Sequence, residues 1–123
     1  WDFKMKIVFV DDNELNRMVM ADMLEILFED LIVETYETAQ EVLELNIQEY
    51  DFILSDIDMP KMSGYELYNR LRDELDYKKP IIAVTALAVS GDKEKMLMHG
   101  FDDYMSKPID INELETLIQK YIS

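Results

Sequence analysis

Cysteine is absent from this chain, and histidine occurs once, at His99. Without thiols there is no disulfide, no thiolate nucleophile and no sulfur-based metal site. One histidine cannot build a zinc site, a histidine pair or a Ser–His triad. Long hydrophobic runs are also missing, and none approaches the roughly 20 residues that a bilayer span needs. No signal-peptide core lies near the start and no basic amphipathic stretch exists, so no membrane contact by this domain is expected. Cations are scarce: 12 Lys and Arg stand against 27 Asp and Glu, a net charge of −15. A field of that sign repels phosphate backbones, which argues against nucleic-acid binding by this domain alone. The lack of cysteine fits a reducing compartment, and a cytoplasmic location is expected.

What is present is a chain of 123 residues, 49% apolar, enough for one domain with a real core. Short β-branched runs alternate with longer amphipathic ones. Lys6 to Val10 reads as a buried strand closed by Asp11 and Asp12. Glu14 to Phe28 keeps a helical period through Leu15, Met18, Val19, Met23, Leu24, Leu27 and Phe28, with Asn13 as cap. Leu31 to Tyr36 is a more polar strand, suited to a sheet edge. Thr38-x-x-Glu41, Ser63-x-x-Glu66 and Asp110-x-x-Glu113 are capping boxes, each opening a helix. Asp51 to Ser55 is a third strand ending at Asp56, and Ile81 to Val84 a fourth ending at Thr85. Asp92 to His99 is a short helix stopped by Gly100, and Asp103 to Ser106 a fifth strand before Lys107-Pro108. Five strands alternating with five helices imply an α/β fold, a parallel sheet covered on both faces and doubly wound.

Ligands of such sheets bind beyond the carboxyl ends of the strands. The residues there are Asp11, Asp12, Asp56, Thr85 and Lys107. Carboxylates brought together repel unless a cation joins them, and a partial cage of hard oxygens with room for water and phosphate favours Mg²⁺. A lysine and a threonine beside it suit an incoming phosphoryl group, one offsetting charge and the other donating a hydrogen bond. Asp56 as nucleophile needs only to be ionised. Taken singly, Asp11 and Asp12 also fit a helix-cap pair, Thr85 an ordinary strand end and Tyr104 a packing tyrosine. His99 reads as an exposed residue near a helix end, and the nine methionines mainly as core filler.

Along nearly its whole length the chain resembles the receiver domain of two-component response regulators. The pieces that carry the resemblance are Ile7-Val8-Phe9-Val10-Asp11-Asp12-Asn13, Leu54-Ser55-Asp56-Ile57-Asp58-Met59-Pro60-Lys61-Met62-Ser63-Gly64, Val84-Thr85-Ala86 and Tyr104-Met105-Ser106-Lys107-Pro108. The resemblance implies a flavodoxin-like sheet of strand order 2-1-3-4-5. It implies phosphorylation of Asp56 from a phosphohistidine, with Thr85 and Lys107 holding phosphoryl oxygens. Asp12 and Asp56 would bind Mg²⁺ directly, Asp11 mostly through water and Asp58 through its backbone carbonyl. Thr85 and Tyr104 would form a conformational switch, and the Lys107–Pro108 bond would be cis. Such a domain is not an enzyme in the usual sense, but promotes its own phosphorylation and dephosphorylation. Its partner would be a histidine kinase or a histidine phosphotransfer protein. Three positions depart from or tune the pattern: Ser63 stands where the family usually has Asp, and Asp58 with Leu87 offers no clear base for a hydrolytic water.

The Asp12-Asn13-x-x-Asn16-Arg17 opening and the stretches Thr85 to Ala88 and Asp102 to Tyr104 resemble receivers of hybrid sensor kinases, whose parent protein can be membrane-bound. Trp1 to Lys4 is read as tag or linker and residues 5–123 as the receiver domain. A free-standing regulator starting at Met5 is the alternative. Asp56-Ile57-Asp58 also matches the motif of haloacid-dehalogenase-type phosphatases, but on the third strand rather than the first. Leu15, Met18 and Val19 resemble the family's docking surface for the phosphodonor, and Met18 and Met20 are placed near it.

Overall fold

The β-branched and aromatic runs form five strands, β1 (Met5–Val10), β2 (Leu31–Tyr36), β3 (Phe52–Asp56), β4 (Ile81–Thr85) and β5 (Asp103–Ser106). The amphipathic stretches form α1 (Glu14–Leu27), α2 (Ala39–Leu43), α3 (Gly64–Asp73), α4 (Asp92–His99) and α5 (Ile111–Ile122). The structure, a computed structural model, describes residues 5–86 and 92–122. Trp1 to Lys4, with Leu87 and Ala88, lie outside the described residues. Every strand pairing is parallel and the order is β2-β1-β3-β4-β5, as expected. β2 is indeed an edge strand, with no fully buried residue.

Successive side chains of a strand point to opposite faces, and both faces of this sheet are covered. Ile7 and Phe9 of β1, with Phe52 and Leu54 of β3, pack on Met20 and Leu24 of α1 and on Leu114 and Ile118 of α5. Val8, Val10 and Ile53 pack the other way, on Val42 of α2, Leu67 and Leu71 of α3 and Met96 of α4. Each of these fully buried Leu, Ile or Phe side chains contributes about 1.5–3 kcal/mol relative to leaving it in water. That alternation explains the near-continuous apolar runs of the central strands.

Helix starts follow the sequence signals. The Asn13 side chain accepts from the Asn16 N–H at 3.0 Å and caps α1. Thr38 and Glu41 close a reciprocal capping box on α2. Ser63 accepts from the Glu66 N–H, and Asp110 from the N–H groups of Asn112 and Glu113. Gly100 ends α4 with φ 127°, a conformation that favours glycine.

Four expectations need correction. Met20 is fully buried in the core, so it is not part of a docking face; Leu15 and Met18, read with the apolar period of α1, are 66% and 55% exposed instead. Helical spacing puts 20 and 24 on the inner side and 15 and 18 on the outer one. His99 is half-buried: Tyr65 and Tyr68 of α3 meet its ring edge-on, at 4.8 and 5.2 Å between centroids, and its Nε2 lies 2.8 Å from Asn69 Oδ1. The apolar pattern of Val42, Leu43 and Leu45 predicts a second helix through Leu45, but α2 stops at Leu43, and a single 3₁₀ turn over Ile47–Glu49 follows it. Asp51 stands outside β3, where its carboxylate accepts the Lys6 N–H at 2.8 Å.

Candidate functional site

The sheet register aligns the carboxyl ends of its strands. Val10 pairs with Ser55, Asp56 with Val84, and Thr85 with Ser106. Asp11 and Asp12 after β1, Asp56 at the end of β3, Thr85 at the end of β4 and Lys107 after β5 therefore meet in one cleft. It holds about 270 Å³ and is lined also by Asn13, Asn16, Asp58 and Ala86. Asp11, Asp56 and Thr85 are buried, while Asp12 and Asp58 are exposed.

The Lys107 ammonium lies 2.6 Å from Asp11 Oδ2 and 3.3 Å from Asp56 Oδ1. Its backbone N–H donates to the Thr85 carbonyl at 2.9 Å, tying β5 to β4 just where the site begins. The Lys107–Pro108 bond is cis, as expected. Asp56 Oδ1 also accepts the Ile57 N–H at 2.8 Å. Burial, and after it the neighbouring Asp11 charge, push the Asp56 carboxyl up to about 6, with Lys107 pulling the other way. Burial works against the Lys107 charge too. Its hydrogen bond to Asp11 and the charges of Asp56 and Asp11 outweigh that, holding the ammonium above the ordinary lysine range.

One ammonium for three acids leaves the cluster short of positive charge. One carboxylate oxygen from each of Asp11, Asp12 and Asp56 lies within 4.8 Å of the other two. Hard oxygens at that separation, with Asp56 destabilised as an anion, are a donor set that fits a hard divalent cation. Asp58 lines the cleft but does not join the three-carboxylate group.

The loop after β3 is built to keep its backbone close to Asp56. A β-carbon added at Gly64 would run into the Asp56 carbonyl oxygen and come 2.8 Å from Ile57 Cα. The Gly64 N–H donates to the Ile57 carbonyl at 2.8 Å. Between them Met62 N–H donates to the Pro60 carbonyl at 2.8 Å around Lys61, whose φ is 70°. That i→i+2 bond with a positive central φ is a strained γ-turn.

Tyr104 stands outside the cleft, half-buried against the core face that carries α3 and α4, with Lys93 Nζ 5.3 Å above its ring. Ala83 pairs with Tyr104 two residues before the Thr85–Ser106 pair. Leu87, the other tuning position, lies outside the described residues. The contacts of Asn16 and Arg17 had no sequence signal beyond their place in the opening motif: Asn16 Nδ2 donates to Asp11 Oδ2 at 3.3 Å and Arg17 Nη1 to the Asp11 carbonyl at 2.8 Å.

No helix among the described residues is long and apolar enough to cross a membrane. Residues 7–119 match the family model "Response regulator receiver domain". Hybrid signal transduction histidine kinase G of Dictyostelium discoideum is 37% identical over 96% of the chain, which spans only 4% of that protein's length. The polar-differentiation response regulator DivK of Brucella ovis is 35% identical, with 94% of each chain covered. Among solved structures, the receiver domain of the sensor histidine kinase PA1611 from Pseudomonas aeruginosa, with a magnesium ion coordinated in its active-site cleft, aligns at a TM-score of 0.82. It is 35% identical, with 98% of each chain covered. The receiver domain of the response regulator Ssk1 of Saccharomyces cerevisiae, co-crystallised with the histidine phosphotransfer protein Ypd1, shares the fold. Its TM-score is 0.85 at 24% identity, with 96% of this chain and 88% of that one covered. With five parallel strands in the order 2-1-3-4-5 and a matched model over most of its length, the chain belongs to the response regulator receiver domains of two-component systems.

Proposed function

We propose that this receiver takes a phosphoryl group from a phosphohistidine onto Asp56. The observation that carries the reading is Lys107 lying between two buried carboxylates, 2.6 Å from Asp11 and 3.3 Å from Asp56, at the mouth of a cleft with room beyond it. An Asp56 oxygen forms the bond to phosphorus as the P–N bond to the donor imidazole breaks. The electron pair stays on the imidazole nitrogen, which then takes a proton from water. Catalysis of this kind is alignment and charge neutralisation, and it needs no base because Asp56 reacts as an anion.

Asp12 and Asp56 would hold Mg²⁺, with Asp11 and the Asp58 carbonyl completing its surroundings. When bound, the ion offsets the charge of the carboxylates and of the incoming phosphoryl oxygens. Lys107 moves one of its N–H groups from Asp11 to a phosphoryl oxygen, and the Thr85 hydroxyl donates to another. Thr85 drawn toward the phosphoryl group leaves space behind it for the Tyr104 ring to turn inward, a two-state element biased by a local charge change. Pairing of β4 with β5 supports this coupling, since the two residues sit on adjacent strands.

The donor docks over the strand-end loops against the outer face of α1, where Leu15 and Met18 are exposed. A histidine kinase or a histidine phosphotransfer protein is the partner class, and the setting is cytoplasmic. The similarity to a hybrid histidine kinase and to a sensor kinase's receiver supports a hybrid-kinase origin. The full-length match to DivK favours a second reading, a free-standing regulator.

Intact mass after treatment with acetyl phosphate and Mg²⁺ tests the reading. A gain of about 80 Da in the parent and none in Asp56→Ala is expected. A gain retained in Asp56→Ala would remove Asp56 as the acceptor.

A further inference from the structure

Every polar atom of Asp11 is engaged. Its N–H donates to the Tyr36 carbonyl at 3.0 Å, and its own carbonyl accepts Arg17 Nη1 at 2.8 Å. Oδ1 accepts the Asn13 N–H at 2.9 Å, and Oδ2 accepts both Lys107 Nζ at 2.6 Å and Asn16 Nδ2 at 3.3 Å. Asn13, Asn16 and Arg17 are the cap and first turn of α1. The same turn shows Leu15 and Met18 to solvent, so α1 has one side for the acid cleft and another for its surroundings.

Burial makes these bonds matter. A carboxylate with no solvent access keeps its charge only where donors replace water, and donors on both oxygens fix the plane of the group. Lys107 cannot serve as a permanent partner, because its proposed role takes it toward the phosphoryl group on Asp56. Once Lys107 leaves Oδ2, Asn16 is the remaining side-chain donor on that oxygen among the described residues. Arg17 acts one step further back, pinning the strand-end carbonyl from which the Asp11 side chain springs.

We infer that Asn16 and Arg17 are positioning residues of the phosphoryl-accepting site: together they hold Asp11 so that the cation site it forms with Asp12 and Asp56 keeps its shape whichever partner Lys107 takes. Neither touches the reacting atoms. The inference rests on the Mg²⁺-dependent receiver reading above. Partners that orient a metal-binding carboxylate typically carry a tenfold or greater effect on affinity.

The experiment titrates Mg²⁺ alone into the full chain by calorimetry, for the parent, Asn16→Ala, Asn16→Ser, Arg17→Ala and Arg17→Lys. Hydrogen exchange of the Asn13 amide is followed in the same proteins without metal. Both alanine variants are expected to bind Mg²⁺ about tenfold more weakly and to exchange the Asn13 amide faster. Asn16→Ser, too short to reach Oδ2, should follow Asn16→Ala, while Arg17→Lys recovers most of the affinity. A purely structural role would lower melting temperature and leave Mg²⁺ affinity as in the parent, and that result would overturn the inference. Uptake of no Mg²⁺ by the parent would instead sink the receiver reading. In that case unchanged Asn13 exchange in the alanine variants still overturns the placement of Asp11, and faster exchange upholds it.

Discussion

Lys107 stands nearer to Asp11 than to Asp56, 2.6 Å against 3.3 Å, so the cation proposed to serve the phosphoryl group is stored on a different carboxylate. Asp11 is fully buried and the lysine side chain is 15% exposed. Removing one partner of such a pair leaves an uncompensated charge in the interior. Lys107→Met is expected to cost about 2–4 kcal/mol in metal-free buffer, and Mg²⁺ should return part of it. Urea unfolding with EDTA and with Mg²⁺ checks both; equal stability of variant and parent would show that the contact does not matter to folding.

The Asp56 carboxyl is raised from 3.8 to about 6 by burial and the Asp11 charge. A folded-state value above the unfolded one means the native protein binds this proton more tightly. The ionised group therefore opposes folding above pH 6, and that penalty fades as pH falls from 6 toward 4. Asp56→Asn, neutral at every pH, should be more stable than the parent in EDTA at pH 7.5 by about 1–3 kcal/mol. The gap should shrink to about a third of that by pH 4.5 and close only below the unfolded value of 3.8. A gap independent of pH would place its cause elsewhere.

Carboxylate repulsion also predicts a response to metal. Mg²⁺ at about a hundred times its Kd should stabilise the parent by about 2.7 kcal/mol, read as a rise in melting temperature. Asp12→Ala should show no rise. An equal rise in both would move the cation away from Asp12.

Gly64→Ala separates close approach from helix propensity. At an unremarkable helical position the change gains up to about 1 kcal/mol. Here the new carbon meets the Asp56 carbonyl and Ile57 Cα, so a loss of about 1–3 kcal/mol is expected, with slower labelling of Asp56. A stabilised variant with parental labelling would show that the loop gives way freely.

Met18, 55% exposed on α1, lies outside the cleft. Met18→Glu should leave labelling by acetyl phosphate as in the parent while slowing transfer from a cognate phosphohistidine donor by tenfold or more (about 1.4 kcal/mol). Unchanged transfer would remove this face from the docking surface.

The sequence carried the strand-end residues openly, because a buried parallel strand is a continuous apolar run and the first acid after it must face the sheet edge. Asp11, Asp56, Thr85 and Lys107 were found in that way and meet in one cleft. Helix α1 was harder to read. An apolar residue is tolerated on the surface as well as in the core, so the apolar period of α1 did not separate Met20, which is buried, from Leu15 and Met18, which are exposed. His99 was misplaced because its surroundings, Tyr65 and Tyr68, lie some thirty positions away in the chain, at the next helix back. The reach of Arg17 to the Asp11 carbonyl left no trace in the residue pattern, since any long cation can find a backbone oxygen.

The register of the sheet has one more consequence. Asp56, the proposed acceptor, its acidic neighbours Asp11 and Asp12, Thr85 and Lys107 come from the ends of four separate strands, and no local segment holds more than two of them. A partly folded chain with β5 detached has the acids without Lys107, and one with β1 displaced has Lys107 without Asp11 and Asp12. Incorporation of phosphate at Asp56, as proposed above, would thus count the molecules whose whole sheet is in place, and the yield of labelling would gauge native fraction across a denaturant series.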